Sequence, residues 1–301
     1  MIPMSSKLAA LVVLANLSLA AQPMADAIRG RIGDFPGTVS LYAKNLDTGA
    51  TFGIRETEPV RTASTIKLAI LCSVFDQVTR GQAKFTDPLT VTVAEQVSGS
   101  GIIGTELSPG DQLPLSDVAH LMIVLSDNTA TNMILERFGA DSVNAYLDRI
   151  GIKTTRSLRK IRGDGNQLKA AAGWSKAGEL PENKKYGIGV STPRDMVTIL
   201  DRLEHGEIVS QDASKEILAI LKRCQDNTGI RRHFSDLPIA NKTGALDALR
   251  SDLGIVYSKG GRIAMAITVD GIPKPEWSPD NPGVVMIADL SKILVEGLAK
   301  H

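Results

Sequence analysis

Ser64-Thr65-Ile66-Lys67-Leu68-Ala69-Ile70-Leu71-Cys72-Ser73-Val74-Phe75-Asp76-Gln77-Val78 is the stretch on which the fold turns. It is almost continuously apolar apart from Lys67, Asp76 and Gln77, so it reads as a helix buried on most sides. Upstream, residues 38–44 and 51–55 are strand-like, and Asp47-Thr48-Gly49 between them is a hairpin signal. A short helix fits residues 25–32. Downstream, residues 115–124, 129–138, 142–150 and 193–205 read as helices, the last opened by Ser191-Thr192-Pro193. Residues 151–192 are polar and rich in Gly and Lys, with little periodicity, which predicts a large surface loop of the functional kind. Strand signals return at 239–243, 253–258 and 262–270, and an amphipathic helix closes the chain over 284–300. The order predicts an α+β fold: an antiparallel sheet lobe flanked by helices (about 28–60 and 210–301) and an inserted all-helical lobe (about 61–209). A ligand is expected in the cleft between them.

The whole chain narrows the function. With 301 residues it fits one catalytic domain of two lobes, and its 43% hydrophobic content is ample for a core. A formal net charge of +1 argues against nucleic acid as a partner. The four histidines, His120, His205, His233 and His301, are scattered without ligand spacing, so neither a metal nor another cofactor is expected. Cys72 and Cys224 are the only cysteines. Cys72 reads as a small core hydrophobe, and two distant cysteines do not establish a disulfide. Lys7 precedes an apolar run from Leu8 to Ala21, followed by small residues. This predicts an export signal within residues 1–27, cleaved after Ala20 or Ala27, and a periplasmic or secreted protein without stable membrane insertion.

Three short motifs carry the chemistry. In Ser64-Thr65-Ile66-Lys67 the spacing brings hydroxyl and amine to one helix face, and the apolar surroundings of Lys67 disfavour a free ammonium. Alone, it also reads as a capping serine and a solvated lysine. Ser126-Asp127-Asn128 lies between two helices, where capping residues are ordinary. Lys242-Thr243-Gly244 falls on a strand, where an edge lysine with a glycine bulge is the plain alternative. All three in this order arise by chance in roughly one chain in a thousand.

Together they resemble the penicillin-recognising serine hydrolases, and among them the class A β-lactamases. Gly99-Ser100-Gly101 and residues 121–132 and 191–196 add to the likeness. The resemblance implies Ser64 as nucleophile, Lys67 as general base and Ser126 as proton relay to the leaving nitrogen. It implies Asn128 as a contact to the acyl side chain, Lys242 as the cation beside Ser126, and Thr243 and Gly244 as substrate contacts. The N–H groups of Ser64 and Ala245 would form the oxyanion hole, one donor of which is worth about 3 kcal/mol. Arg232 fits the spacing of a carboxylate-binding arginine, although neighbouring Arg231 makes that assignment loose.

One expected part is missing. The family's deacylating glutamate should lie in an E-x-x-x-N sequence where this chain has Arg159, Lys160, Ile161 and Arg162. Glu179, with Asn183 four residues on, and Asp164 are the available substitutes. The expected function is a β-lactamase-like serine hydrolase acting on a β-lactam or cell-wall peptide-like substrate as a monomer. A D-alanyl-D-alanine peptidase or esterase, and an acylated module without turnover, are the alternatives.

Overall fold

The computed structural model describes residues 21–163 and 167–299. Residues 1–20 of the export signal expected within residues 1–27, and Asp164, lie outside them. Five strands make one antiparallel sheet: β1 (Thr38–Asn45), β2 (Thr51–Ile54), β3 (Ile239–Leu246), β4 (Leu249–Ser258) and β5 (Gly261–Asp270), in the order β2-β1-β5-β4-β3. The hairpin between β1 and β2 turns at Gly49, φ +79, and Asn45 Oδ1 accepts from Asp47 N–H at 2.9 Å. Residues 55–238 run between β2 and β3 in sequence, while the five strands of the sheet come from either side of them.

Alternation along the strands sorts the two cores. Leu41 and Ala43 on β1, with Ile263, Met265 and Ile267 on β5, meet helices α1 (Ala21–Ile32) and α8 (Pro282–Gly297) on the outer face. Tyr42, Leu253, Ile255, Ala264 and Ala266 point to the inner face and the inserted helices. These are α2 (Lys67–Thr79), α3 (Leu115–Val124), α4 (Asn128–Phe138), α5 (Ala140–Arg149), α6 (Pro193–Glu204) and α7 (Gln211–Lys222). Helix α6, capped by Thr192 with Pro193 at its first position, packs on β1 and β5 of the sheet. Helix α7 was not among the elements expected from sequence. Ser210 caps it, and it buries Ala213, Ile217, Leu218 and Leu221.

Residues 151–192 are more ordered than a plain surface loop. Arg156–Ser157 and Gly189–Ser191 pair with each other, and Gly189–Ser191 also pairs with Val60–Arg61. Leu158, Lys160 and Ile161 are buried.

Candidate active site

Ala63–Ile66 forms one 3-10 turn ahead of α2, so the helix proper starts at Lys67 rather than at Ser64. Ala63 sits at φ +46, a conformation that costs about 1–3 kcal/mol and needs fixed surroundings. Thr62 N–H bonds Gly189 O at 3.1 Å, and Thr65 Oγ1 donates to Thr62 O at 2.7 Å. Strand β3 closes over the turn: a Cβ on Gly244 would lie 2.9 Å from Ser64 N and 2.8 Å from Thr62 O. Gly244 therefore serves close approach and not a bulge, because the ladder runs through it unbroken, with Gly244 facing Ser251.

Ser64 opens on a cleft of about 1400 Å³ that Ser126, Asn128, Lys242, Thr243, Gly244 and Ala245 also line. Lys67 lies behind this surface, fully buried. Its Nζ donates to Ser126 O at 2.7 Å, Ser126 Oγ at 3.3 Å and Asn128 Oδ1 at 3.0 Å. Among the described residues the Ser64 hydroxyl has no hydrogen-bond partner, so the Ser64–Lys67 contact that their spacing allows is not made, and Ser64 and Ser126 both line the cleft. Burial drives the Lys67 amine well below the ordinary lysine range; nearby Lys242 adds to this, and Asp127 opposes it. Lys67 is thereby shifted toward the neutral form that accepts a proton.

Lys242 is also buried, and burial lowers its pKa, while Cys224, Asp226 and Asp252 act to raise it. Its Nζ donates to Ser126 Oγ at 3.0 Å and Thr243 O at 2.7 Å. The Ser126 hydroxyl thus sits between two amines. Its backbone is at φ +54, and the next residue holds it there. Buried Asp127 caps α4 by accepting from Ala130 N–H at 2.8 Å, and also from Ile102 and Ile103 N–H at 2.7 and 2.8 Å. Gly101 makes that contact possible, since a Cβ there would fall 2.2 Å from the Asp127 carboxyl carbon. Asn128 donates to Ser98 O at 3.2 Å, completing the rim.

Two assignments need correction. Arg232 does not line the cleft; it is spent on Pro279 O at 2.7 Å and Asp280 at 2.6 Å. Arg231 is likewise bound, to Asn241 Oδ1 at 2.7 Å. The cleft's cations beyond Lys242 are Arg61 and Arg250. Arg250 faces Ala245 across the β3–β4 hairpin, and its guanidinium lies 4.8 Å from the Trp277 ring.

Glu179 also lies off the cleft. Its side chain is 62% exposed and pairs with Lys184 at 3.3 Å. Where the loop meets the cleft stands Ile161, clamped by Asn132: Ile161 N–H donates to Asn132 Oδ1 at 2.8 Å, and Asn132 Nδ2 donates to Ile161 O at 2.9 Å. The neighbouring Lys160 turns into the protein, to Glu95 at 3.1 Å and to Glu136. Cys72 and Cys224 are free and buried, and burial pushes the Cys72 thiol up to about 12.

These residues are assembled on the β-lactamase/transpeptidase-like fold, with Ser64 and Ser126 lining one cleft. The chain belongs to the β-lactamase enzyme family, which it matches over residues 23–298. It is 24% identical to β-lactamase SME-1 of Serratia marcescens, covering 88% of this chain and 85% of that one. To β-lactamase L2 of Stenotrophomonas maltophilia it is 26% identical, covering 80% and 73%. Among solved structures, a β-lactamase from Sphaerobacter thermophilus superposes with TM-score 0.78 at 26% identity, covering 92% of this chain and 97% of that one. PBP-A superposes with TM-score 0.75 at 28% identity over 93% and 96%. A leucine-to-glutamate mutant of PBP-A, an acyl-enzyme complex with penicillin G, has the same score and identity over 91% and 96%.

Proposed function

We propose that this protein is a serine hydrolase acylated at Ser64 by the cyclic amide of a β-lactam, and that it releases the acyl group slowly. The observation that carries this is the Ser126 hydroxyl, bonded to the Lys67 and Lys242 amines inside the cleft onto which Ser64 opens. Ser64 Oγ attacks the carbonyl, and its proton passes to neutral Lys67, directly or through Ser126. Ser126 then protonates the departing nitrogen as the C–N bond breaks, and Lys67 returns its proton to Ser126. The N–H groups of Ser64 and Ala245 receive the oxyanion. Lys242 stays cationic and holds the local potential, and Arg250, its guanidinium donating to the Leu246, Leu249 and Glu276 carbonyls, is a further positive charge lining the cleft.

Release is slow because a tethered β-lactam amine stays in the cleft and blocks water from the Ser126 side. Water must then come from the loop side, where Ile161 offers no base. A linear D-alanyl-D-alanine amide or ester sheds its leaving group, so Lys67 and Ser126 can activate water from the side just vacated. Ile161 favours that second substrate class. Mixing with excess chromogenic cephalosporin tests the reading. A burst of about one product per enzyme and a stable adduct on Ser64 are expected; rapid linear turnover refutes slow release, and no adduct refutes acylation.

The mature protein is exported after cleavage behind Ala20. Met24 and Ala25 are buried in the core with α8, and cleavage after Ala27 would remove both. N-terminal sequencing of the exported protein decides between the two.

A further inference from the structure

Residues 151–192 hold nine of the chain's 34 Lys and Arg but only three of its 33 Asp and Glu, in a protein of formal net charge +1. Part of this excess converges on one ring. The Arg159 and Arg162 guanidinium carbons lie 5.4 and 5.8 Å from the Trp174 ring centre, and Lys184 Nζ lies 3.7 Å from it. Each cation is attracted by the indole face, yet the three repel one another. Among the described residues the only carboxylate paired with any of them is Glu179, on Lys184. Arg159 is half-buried, and among the described residues it bonds only the carbonyl of Lys160, at 2.7 Å. Burial, and then Arg162, lower its pKa to about 10.

The cluster is mounted rigidly. Lys160 beneath it is buried against Glu95 and Glu136, Lys160 N–H bonds Ala172 O at 2.9 Å, and Ser175 N–H bonds Leu158 O at 2.9 Å. The turn at Lys176–Glu179 closes on the indole only because residue 178 is glycine, where a Cβ would lie 2.8 Å from the ring. Ile161 and Gly163, on either side of Arg162, line the cleft, so the cluster stands at its rim.

We propose that Arg159, Arg162 and Lys184, arranged on Trp174, form a binding site for a phosphate monoester group. Two guanidinium groups with no carboxylate partner among the described residues, and a half-neutralised lysine, call for a dianion, and a phosphate monoester carries about −1.5 to −2 at neutral pH. Planar forks bind such oxygens in pairs. The site stands independently of the chemistry at Ser64.

The test uses the Trp277→Phe protein, in which Trp174 is the sole remaining one of two tryptophans. Its fluorescence is followed at low salt during titration with inorganic phosphate and, separately, with phosphatidylcholine vesicles containing phosphatidic acid. A saturable one-site response is expected. A response to free phosphate assigns a soluble ligand, and a response to vesicles alone assigns a lipid headgroup. Arg162→Gln, at an exposed residue, should weaken binding about tenfold, the scale of one charge-assisted hydrogen bond. Arg159→Gln with Arg162→Gln should weaken it about a hundredfold, and Arg159→Lys less than Arg159→Gln. Circular dichroism and an unchanged melting midpoint report that each variant is folded. No saturable response to either probe, or equal affinity in Arg162→Gln and the double variant, overturns the proposal.

Discussion

The two walls of the cleft use their polar groups in opposite ways. On the wall built by Ser126–Asn128 and β3, both buried lysines aim at one hydroxyl: Lys67 at 3.3 Å and Lys242 at 3.0 Å from Ser126 Oγ. On the loop wall, the buried lysine aims away: Lys160 serves Glu95 and Glu136, Asn132 serves the Ile161 backbone, and an isoleucine meets the cleft. A buried amine costs several kcal/mol wherever it lies. On the first wall that cost depresses a pKa and makes a base; on the second, carboxylates offset it and it fastens a loop. Among the described residues, the wall proposed to carry the chemistry is thus the one whose buried lysines form no ion pair with a carboxylate.

The sharpest way to break this contrast is to disable the first wall. Ser64→Ala should remove all penicillin adduct by mass. Lys67→Arg should lower the acylation rate by about 10²–10⁴-fold, since a guanidinium cannot take a proton in this pH range. Lys242→Arg, which keeps a cation beside Ser126, should retain part of the rate. Equal losses in the two arginine variants would mean that both lysines act only as charges.

Converting the second wall is the complementary experiment. With its backbone clamped on both sides by Asn132, Ile161 is held at the lining of the cleft. Ile161→Glu should shorten the acyl-enzyme lifetime by up to about 10²-fold, the lower end for a general base. An unchanged lifetime would show that the loop wall does not face the ester. Breaking the wall's support acts on stability instead. Lys160→Met leaves Glu95 buried without its partner, and burial already raises the Glu95 pKa. The melting midpoint should fall by the equivalent of about 3 kcal/mol.

The pH dependence of acylation sharpens the role of Lys242. The base form of Lys67 is the neutral one, so acylation falls as pH drops through the Lys67 pKa. Lys242 lowers that pKa. Lys242→Met should therefore move the acid limb of the acylation profile to higher pH, while Lys242→Arg leaves it near its wild-type place. A limb that moves down, or moves equally in both, contradicts the coupling.

The sequence announced one wall and not the other for a physical reason. Ser64 and Lys67 are one helical turn apart, and Ser126 and Asn128 belong to one tight turn, so local geometry fixes their relation before any tertiary contact forms. That early and late strands share one sheet, and most of the helices between them, followed from periodicity and the order of elements. Arg250 was invisible because only the hairpin register sets it opposite Ala245. The loop was misread because its place is fixed by partners far along the chain: Asn132 for Ile161, Glu95 and Glu136 for Lys160.

Glu179 supplies the smallest and most discriminating effect. Its spacing to Asn183 imitates the expected E-x-x-x-N, and Asn183 does fold back, donating to Ala177 O at 2.9 Å. That closes a local turn and points nothing at Ser64. The Glu179 carboxylate is 62% exposed and its one ion pair, with Lys184, is on the surface. A general base must come within hydrogen-bond reach of the water it activates, and no residue of this turn lines the cleft. Glu179→Ala should therefore leave both the burst and the slow phase unchanged, and alter stability by less than about 0.5 kcal/mol, as exposed pairs do. If instead the variant turns a linear time course into a burst, the loop closes over the acyl-enzyme, Glu179 is the deacylating base, and the contrast between the two walls belongs only to the free protein.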